Sequence, residues 1–237
     1  MNRLLFVRHG ENRANLTKEF SHRKVDYPLT PKGRLQAFQT AQVLRGQRIQ
    51  AIYTSPLKRA SETADMIARE LGLGVTPLEN FREVNVGHFE DLPPTPETWA
   101  RHNQIVDAWW QGQREVGFPG GENQEELWQR MRAGLDIILD GNDGQTILIV
   151  LHGGILTFTL KEFCPQVDLA WLRQAVNHNC SISEIWVNKQ GSAWQGQLIS
   201  WAAYGHLHGE AAELVSGVPD LENFNPTPIS GSPARCG

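Results

Sequence analysis

The sequence predicts an α/β protein organised around a parallel sheet, and three features carry that expectation. Leu4-Leu5-Phe6-Val7 is an apolar run without polar alternation, the pattern of a strand covered on both faces. Thr146-Ile147-Leu148-Ile149-Val150-Leu151 is the most apolar, β-branched run in the chain and is expected at the sheet centre. Both runs end in a histidine followed by glycine, in Arg8-His9-Gly10-Glu11 and His152-Gly153-Gly154. Ligands of parallel sheets gather at the carboxyl ends of the strands, so these two ends are where chemistry is expected.

After the first strand, Asn12 to Tyr27 is polar and irregular. Thr30 before Pro31 reads as a helix cap and first-turn proline, and Leu35, Phe38, Ala41 and Leu44 predict a helix to about Arg48 with those residues as its apolar stripe. A strand over Ile49–Tyr53 leads into Thr54-Ser55-Pro56, a second cap-then-proline signal. The following helix is expected to bury Ala60, Ala64, Ile67 and Leu71 and to close at Gly72. Gly74–Leu78 predicts a third strand, and Glu79–Asp91 an ordered loop. Leu92–Gly121, rich in proline at its start and carrying Trp99, Trp109 and Trp110, is an excursion from the sheet. Glu122–Asp140 is an amphipathic helix through Leu127, Met131, Leu135 and Ile138, and Ile155–Phe163 is an apolar one. Ser181–Val187 and Gln195–Ala202 predict strands at one sheet edge, turning at Lys189-Gln190-Gly191-Ser192. Beyond His208 apolar periodicity fades, and roughly the last dozen residues are expected to form a loose tail or a lid.

With 237 residues, 40% of them hydrophobic, the chain suffices for one main domain. A net charge of -4 lacks the basic stripe of a nucleic-acid binder, so a small anionic substrate is expected instead. Met1-Asn2-Arg3 precedes too few apolar positions for a signal peptide, and no run approaches a membrane span; a cytoplasmic protein without a membrane partner is expected. Cys164, Cys180 and Cys236 suit neither a disulfide framework nor a thiolate metal site.

Arg59, in the first turn of the helix after the second strand, is expected at the same sheet edge as Arg8, His9 and His152, with Glu83 in the loop after the third strand. Two guanidiniums and two imidazoles imply a dianion. Arg8 and Arg59 suit phosphate, and His9 is a candidate nucleophile whose second ring nitrogen would be held by Glu11 or the Gly10 carbonyl. Zinc is the competitor wherever histidines converge. No carboxylate stands beside His9 or His152, and the arginines would repel a cation, so neither metal nor cofactor is expected. His206-x-His208 has ligand-like spacing without partners. Asn15, Ser21 and Gly153 are candidate substrate-binding residues, and His22, Arg23 and Lys24 either read a second anionic group or are simply solvated. Trp99, Trp109, Trp110 and Trp128 either wall an apolar pocket or form core.

Taken together, these motifs resemble the histidine phosphatase superfamily, which includes cofactor-dependent phosphoglycerate mutases and many small-molecule phosphatases. The resemblance rests on Arg8-His9-Gly10-Glu11, Asn15, Leu29-Thr30 with Gly33 and Gln36-Ala37, Ser55-Pro56-Leu57 with Arg59-Ala60 and Thr63-Ala64, and His152-Gly153. It implies a three-layer α/β/α fold with a mainly parallel central sheet, phosphoglycerate mutase-like. The implied catalytic domain is 1–208, with 92–121 an inserted cap over the site and 209–237 an irregular C-terminal tail. By the same resemblance His9 becomes phosphorylated, Arg8, Arg59 and His152 bind the phosphoryl group, and Glu83 is the proton donor. Glu79, Glu90 and Asp91 are nearby alternatives.

Mutases of the family carry a Gly-Trp pair after the asparagine and a Glu-Arg-His-Tyr run at the acid; this chain has Ser21-His22-Arg23 and Glu83-Val84-Asn85-Val86-Gly87. Phe118-Pro119-Gly120-Gly121-Glu122 resembles the phosphatase branch, while Asn12 and Phe89-Glu90-Asp91 depart from the usual pattern. The expected activity is metal-independent hydrolysis of a small phosphorylated metabolite. The alternatives are a phosphoglycerate mutase and an inactive phosphate-binding or interaction protein. Exposed edge strands near Ser181 to Ala202 are compatible with a homodimer.

Overall fold

The computed structural model describes residues 1–190 and 193–221. Its strands are β1 (Asn2–Arg8), β2 (Ala51–Thr54), β3 (Val75–Pro77), β4 (Thr146–Leu151), β5 (Ile182–Gln190) and β6 (Ala193–Ala203). They form one sheet in the order β3-β2-β4-β1-β5-β6. The first four are parallel to one another, and β5 and β6 extend the β1 side antiparallel. Arg8 lies opposite Leu151, and Thr54 opposite Val150, so the chain leaves β1, β4 and β2 at one edge.

Helices cover both faces: α1 (Arg13–Thr17), α2 (Pro31–Leu44), α3 (Lys58–Leu71), α4 (Pro96–Trp110), α5 (Gln124–Leu139), α6 (Gly153–Phe163) and α7 (Leu169–Gln174). Leu5, Val7, Leu148 and Val150 pack with Ala41 and Leu44 of α2 and Ala60, Ala64 and Ile67 of α3. Leu4, Phe6, Ile147, Ile149 and Leu151 pack on the other side with Met131 and Leu135 of α5 and Ile155 of α6. This explains the unbroken apolar runs: alternate residues enter different cores, each fully buried side chain contributing about 1.5–3 kcal/mol.

Several boundaries differ from the sequence expectation for identifiable reasons. α2 ends at Leu44, and Phe38 is 47% exposed while Ala37, Ala41 and Leu44 are buried. A three-residue repeat turns about 300° per step, so such a stripe drifts about 60° each time and cannot stay on one face. α3 starts at Lys58 with Leu57 as its cap residue, and the Ser55 hydroxyl both pairs with His152 Nε2 at 2.8 Å and accepts from the Leu57 N–H at 3.3 Å. α1 falls inside the stretch expected to be irregular, and α1 and α7 are too short to show a period; Asn12 and Asp168 cap them. The loop over Glu79–Asp91 contains two 3-10 turns, Glu79–Phe81 and Gly87–Asp91. A Cβ on Gly10 would stand 2.5 Å from the Gly33 carbonyl oxygen, so the β1 exit and the start of α2 need glycine at this crossing.

Just past His208 the described chain stays on the body. Ala211 is buried, its carbonyl accepts from Gln36 Nε2 at 3.1 Å, and Lys32 Nζ donates to the Glu213 carbonyl at 3.0 Å. The lid expected of the last dozen residues, the turn residues Gly191 and Ser192, and Cys236 lie outside the described residues. Cys164 and Cys180 are free and buried, and burial pushes both thiols up to about 12. Among the described residues no helix is long and apolar enough to cross a membrane.

Candidate active site

A cavity of about 510 Å³ opens at the carboxyl edge of the sheet, and Arg8, His9, Arg59, Glu83 and Gly153 form its polar floor. His9 follows β1 directly, its backbone N–H donating to the Leu151 carbonyl at 3.0 Å. Its Nδ1 lies 2.8 Å from the Gly10 carbonyl oxygen, and Arg59 Nε donates to its Nε2 at 3.1 Å. The carbonyl requires a hydrogen on Nδ1, and the guanidinium requires a lone pair on Nε2, so the two contacts select one neutral tautomer. Burial, then Arg59 and Arg8, hold the His9 pKa well below the usual histidine range. Glu11, the other candidate for this support, instead accepts from Thr30 Oγ1 at 2.8 Å and pairs with Lys32 at 2.7 Å.

Arg59, brought in by the first turn of α3, is 2% exposed; it donates to Ser21 Oγ at 2.8 Å and to the Ser21 carbonyl at 3.0 Å. Burial pushes its pKa down to about 10, against the support of Glu83 and Asp26. Arg8 donates through Nη1 to the Asn177 carbonyl, and its buried Nε has no hydrogen-bond partner. Two buried guanidiniums therefore face the cavity, with Glu83 and Glu19 in its lining and Asp26 3.8 Å from Arg59, and the unpartnered Arg8 Nε is a buried donor that an entering anion would satisfy.

Glu83 sits at the N-terminus of α6: its Oε1 accepts from the N–H groups of Val84 (2.9 Å) and Ile155 (2.8 Å), and its Oε2 from Gly154 (3.1 Å). A Cβ on Gly154 would stand 2.7 Å from Glu83 Oε1, which explains the second glycine of the His152-Gly153-Gly154 run. His152 is fully buried against His9, with ring centroids 5.1 Å apart, and does not line the cavity. Its Nε2 pairs with Ser55 Oγ at 2.8 Å, while its Nδ1 has no partner. Burial, then Arg59 and His9, hold it well below the usual histidine range.

Asn15 and Ser21 also line the cavity. Asn15 Oδ1 accepts from the Asn12 N–H at 3.1 Å and from Asn179 Nδ2 at 3.2 Å. The alternative acids are occupied elsewhere: Glu79 pairs with Arg82, Asp91 with Lys24, and Glu90 accepts from the backbone of Arg23 and Lys24. His22 is buried with its Nδ1 2.9 Å from the Glu83 carbonyl oxygen, which removes it, like Arg23 and Lys24, from the cavity lining. Trp99 and Trp110 line the cavity; Trp109 and Trp128 do not. His206 Nε2 is 2.9 Å from Thr40 Oγ1, and no metal-holding cluster occurs among the described residues.

Sequence reasoning missed the supporting residues. Asn179 Nδ2 also donates to the His9 carbonyl at 2.9 Å, and the Asn177 carbonyl holds Arg8. Arg130 of α5 donates to the carbonyls of Asn80 (2.8 Å), Arg82 (2.9 Å) and Glu83 (3.2 Å) and pairs with Glu122 at 2.7 Å. Glu122 in turn accepts from the Asn85 N–H at 2.7 Å, so this pair clamps the Glu83 loop from both sides. Glu122 precedes the cap residue Asn123 and Arg130 lies within α5, so no helical spacing in the sequence signalled the pair.

Residues 4–199 match the model of the histidine phosphatase superfamily, branch 1. The chain belongs to that superfamily. A relative from Yersinia enterocolitica, described as a probable phosphoglycerate mutase GpmB, is 36% identical over 202 residues, covering 82% of this chain and 88% of the relative. YhfR of Bacillus stearothermophilus has a similar structure, with a TM-score of 0.74, 27% identity and coverage of 87% of this chain and 99% of that one. The phosphoserine phosphatase of Entamoeba histolytica, solved in complex with 3-phosphoglyceric acid, shares the fold with a TM-score of 0.72 at 24% identity, covering 88% and 100%. The mainly parallel, helix-flanked sheet is thus the superfamily's architecture.

Proposed function

We propose that the protein is a phosphomonoesterase that hydrolyses a small phosphorylated metabolite through a phosphohistidine on His9, with no metal ion in the phosphoryl-transfer step. The observation that carries this reading is the neutral His9 ring, with Nδ1 held by the Gly10 carbonyl and Nε2 left as a lone pair against Arg59. The lone pair attacks phosphorus as the ester P–O bond breaks, and Glu83 gives its proton to the departing alkoxide. Arg8 and Arg59 meet the charge on the equatorial oxygens, and the unpartnered Arg8 Nε is a donor waiting for one of them. Water then attacks phosphorus, Glu83 takes a proton from it, the P–N bond breaks, and inorganic phosphate leaves with His9 restored.

Within this reading Gly153 and Asn15 border the phosphate, and Ser21 positions Arg59. His152, packed on His9, gains a charge partner when the dianion enters. The adjacent arginines disfavour a divalent cation at this place. The free thiols of Cys164 and Cys180 fit a cytoplasmic location.

The name carried by the Yersinia enterocolitica relative favours a second reading, a mutase that returns the phosphoryl group to an alcohol. The two part on one measurement. The hydrolase releases stoichiometric phosphate from p-nitrophenyl phosphate in the presence of EDTA, and an acid quench traps an acid-labile phosphoprotein. Wild-type rates from His9→Ala would sink both readings; isomerisation of 3-phosphoglycerate with little free phosphate would establish the mutase.

A further inference from the structure

The far wall of the cavity differs in kind from its floor. Phe20, Trp99, Val106, Trp110, Phe118 and Phe158 form it. Trp99, Val106 and Trp110 recur at seven and four residues along α4, so one helix face presents a continuous apolar surface to the site. The volume, about 510 Å³, lies within the ordinary range of roughly 300–1,000 Å³ for small-molecule sites, far more than a phosphoryl group needs.

Charges beyond the floor do not suit a second anion. Among the described residues only Glu19 and Arg173 add charge to the lining. Glu19 would repel a carboxylate, and Arg173 is already paired with Asp107 at 2.7 Å. His102, enclosed by Phe20, Trp99 and Phe118, is neutral near pH 7, since burial pushes its pKa down to about 4. Lys18 does not reach the lining; its Nζ donates to the carbonyls of Asn15 and Ser216. A carboxylate on the leaving group would therefore be stripped of water against aromatic rings without an ion pair, whereas an apolar chain would gain by burial.

We infer that the natural leaving group is an uncharged, largely apolar alcohol, and that phosphate esters carrying a second anionic group are poor substrates. This rests on the hydrolase reading and narrows it to a substrate class, with the α4 face setting specificity.

The test compares kcat/KM for phosphate release from hexyl phosphate, glycerol 3-phosphate, 3-phosphoglycerate and phosphoserine, all esters of aliphatic alcohols, with p-nitrophenyl phosphate as a positive control. Hexyl phosphate is expected to exceed the two carboxylated esters by about a hundredfold, equivalent to about 2.8 kcal/mol at 1.4 kcal/mol per tenfold. Carboxylated esters within tenfold of hexyl phosphate overturn the inference while leaving the hydrolase intact. No phosphate from any ester, p-nitrophenyl phosphate included, overturns the hydrolase reading and the inference with it. Val106→Lys, which sets an ammonium on the apolar face, is expected to shift the ratio at least tenfold toward 3-phosphoglycerate; an unchanged ratio in a folded variant counts against the α4 face. Inhibition by inorganic phosphate, which needs only the floor, reports whether that end is intact, and if the variant fails to fold the wild-type panel decides alone.

Discussion

The floor and the wall of the cavity are built differently. Floor groups are fixed by backbone: His9 by the Gly10 carbonyl, Arg59 by Ser21, Arg8 by the Asn177 carbonyl, and Glu83 by three N–H groups. Wall groups are held by ring packing, such as Phe20 on Trp99 at 4.4 Å and Trp109 edge-on to Phe118 at 5.5 Å. Hydrogen bonds from a sheet edge permit one geometry, which chemistry requires; apolar packing tolerates exchange of side chains at similar volume. Reaction and selectivity are thus separable in this molecule, and mutations should divide along the same line.

The largest effect is expected at the floor. His9→Ala should lower kcat/KM by at least about a thousandfold for every ester and abolish the acid-labile phosphoprotein, measured by phosphate release and acid quench. Uniform loss across substrates is the point, since a floor residue acts on the phosphoryl group whatever alcohol leaves. Glu83→Gln should lower kcat for an alkyl phosphate by about 10²–10⁴-fold and for p-nitrophenyl phosphate far less, because nitrophenolate departs without a proton. Equal losses on both esters would remove Glu83 from the role of acid.

The same division explains what the sequence revealed. Arg8, His9 and His152 were legible because each follows an apolar run that has to be a strand, and parallel pairing of β1 with β4 then brings their ends together. Arg59 was legible from its place in a first helical turn after β2. The wall was less so, because Phe20, Phe118 and Phe158 come from three separate segments, and only the fold distinguishes a pocket-lining tryptophan such as Trp110 from a core one such as Trp109. Asn177 and Asn179 escaped notice since their contacts, one of them through a carbonyl, depend on β5 pairing beside β1. Phe38 misled because its spacing was near the helical period without matching it.

A smaller effect should arise one layer behind the floor. Arg130→Met would leave the carbonyls of Asn80 and Arg82 without the Arg130 donor, the Glu83 carbonyl with His22 alone, and Glu122 without its charge partner. Misplacement of Glu83 is expected to lower kcat about tenfold with KM within twofold, and the loss should be greater for alkyl than for nitrophenyl esters, as for Glu83→Gln. Arg130→Lys should recover part of it, since an ammonium retains the charge but not the fork. A uniform loss on both esters, tracking only a lower unfolding midpoint, would make the clamp purely structural.

The last effect is on stability rather than on rate: it concerns the histidines and separates wall from floor by pH. His102 carries a pKa of about 4 in the folded wall against the ordinary 6.5, so between these values the unfolded chain binds a proton that the folded chain refuses. Stability from this group is complete above about pH 6.5 and falls as pH drops toward 4, by up to about 1.4 kcal/mol per pH unit. His9 and His152 add the same sign, because both are held below the usual range. Inorganic phosphate should flatten only their share, since an anion at the floor favours their protonated forms. His102→Phe should flatten only the wall share, by up to one proton, in urea unfolding midpoints followed from pH 7 to 4.5. If saturating phosphate and His102→Phe do not add, the floor and wall are coupled through Phe20 and Trp99, and selectivity can no longer be altered without touching the reaction.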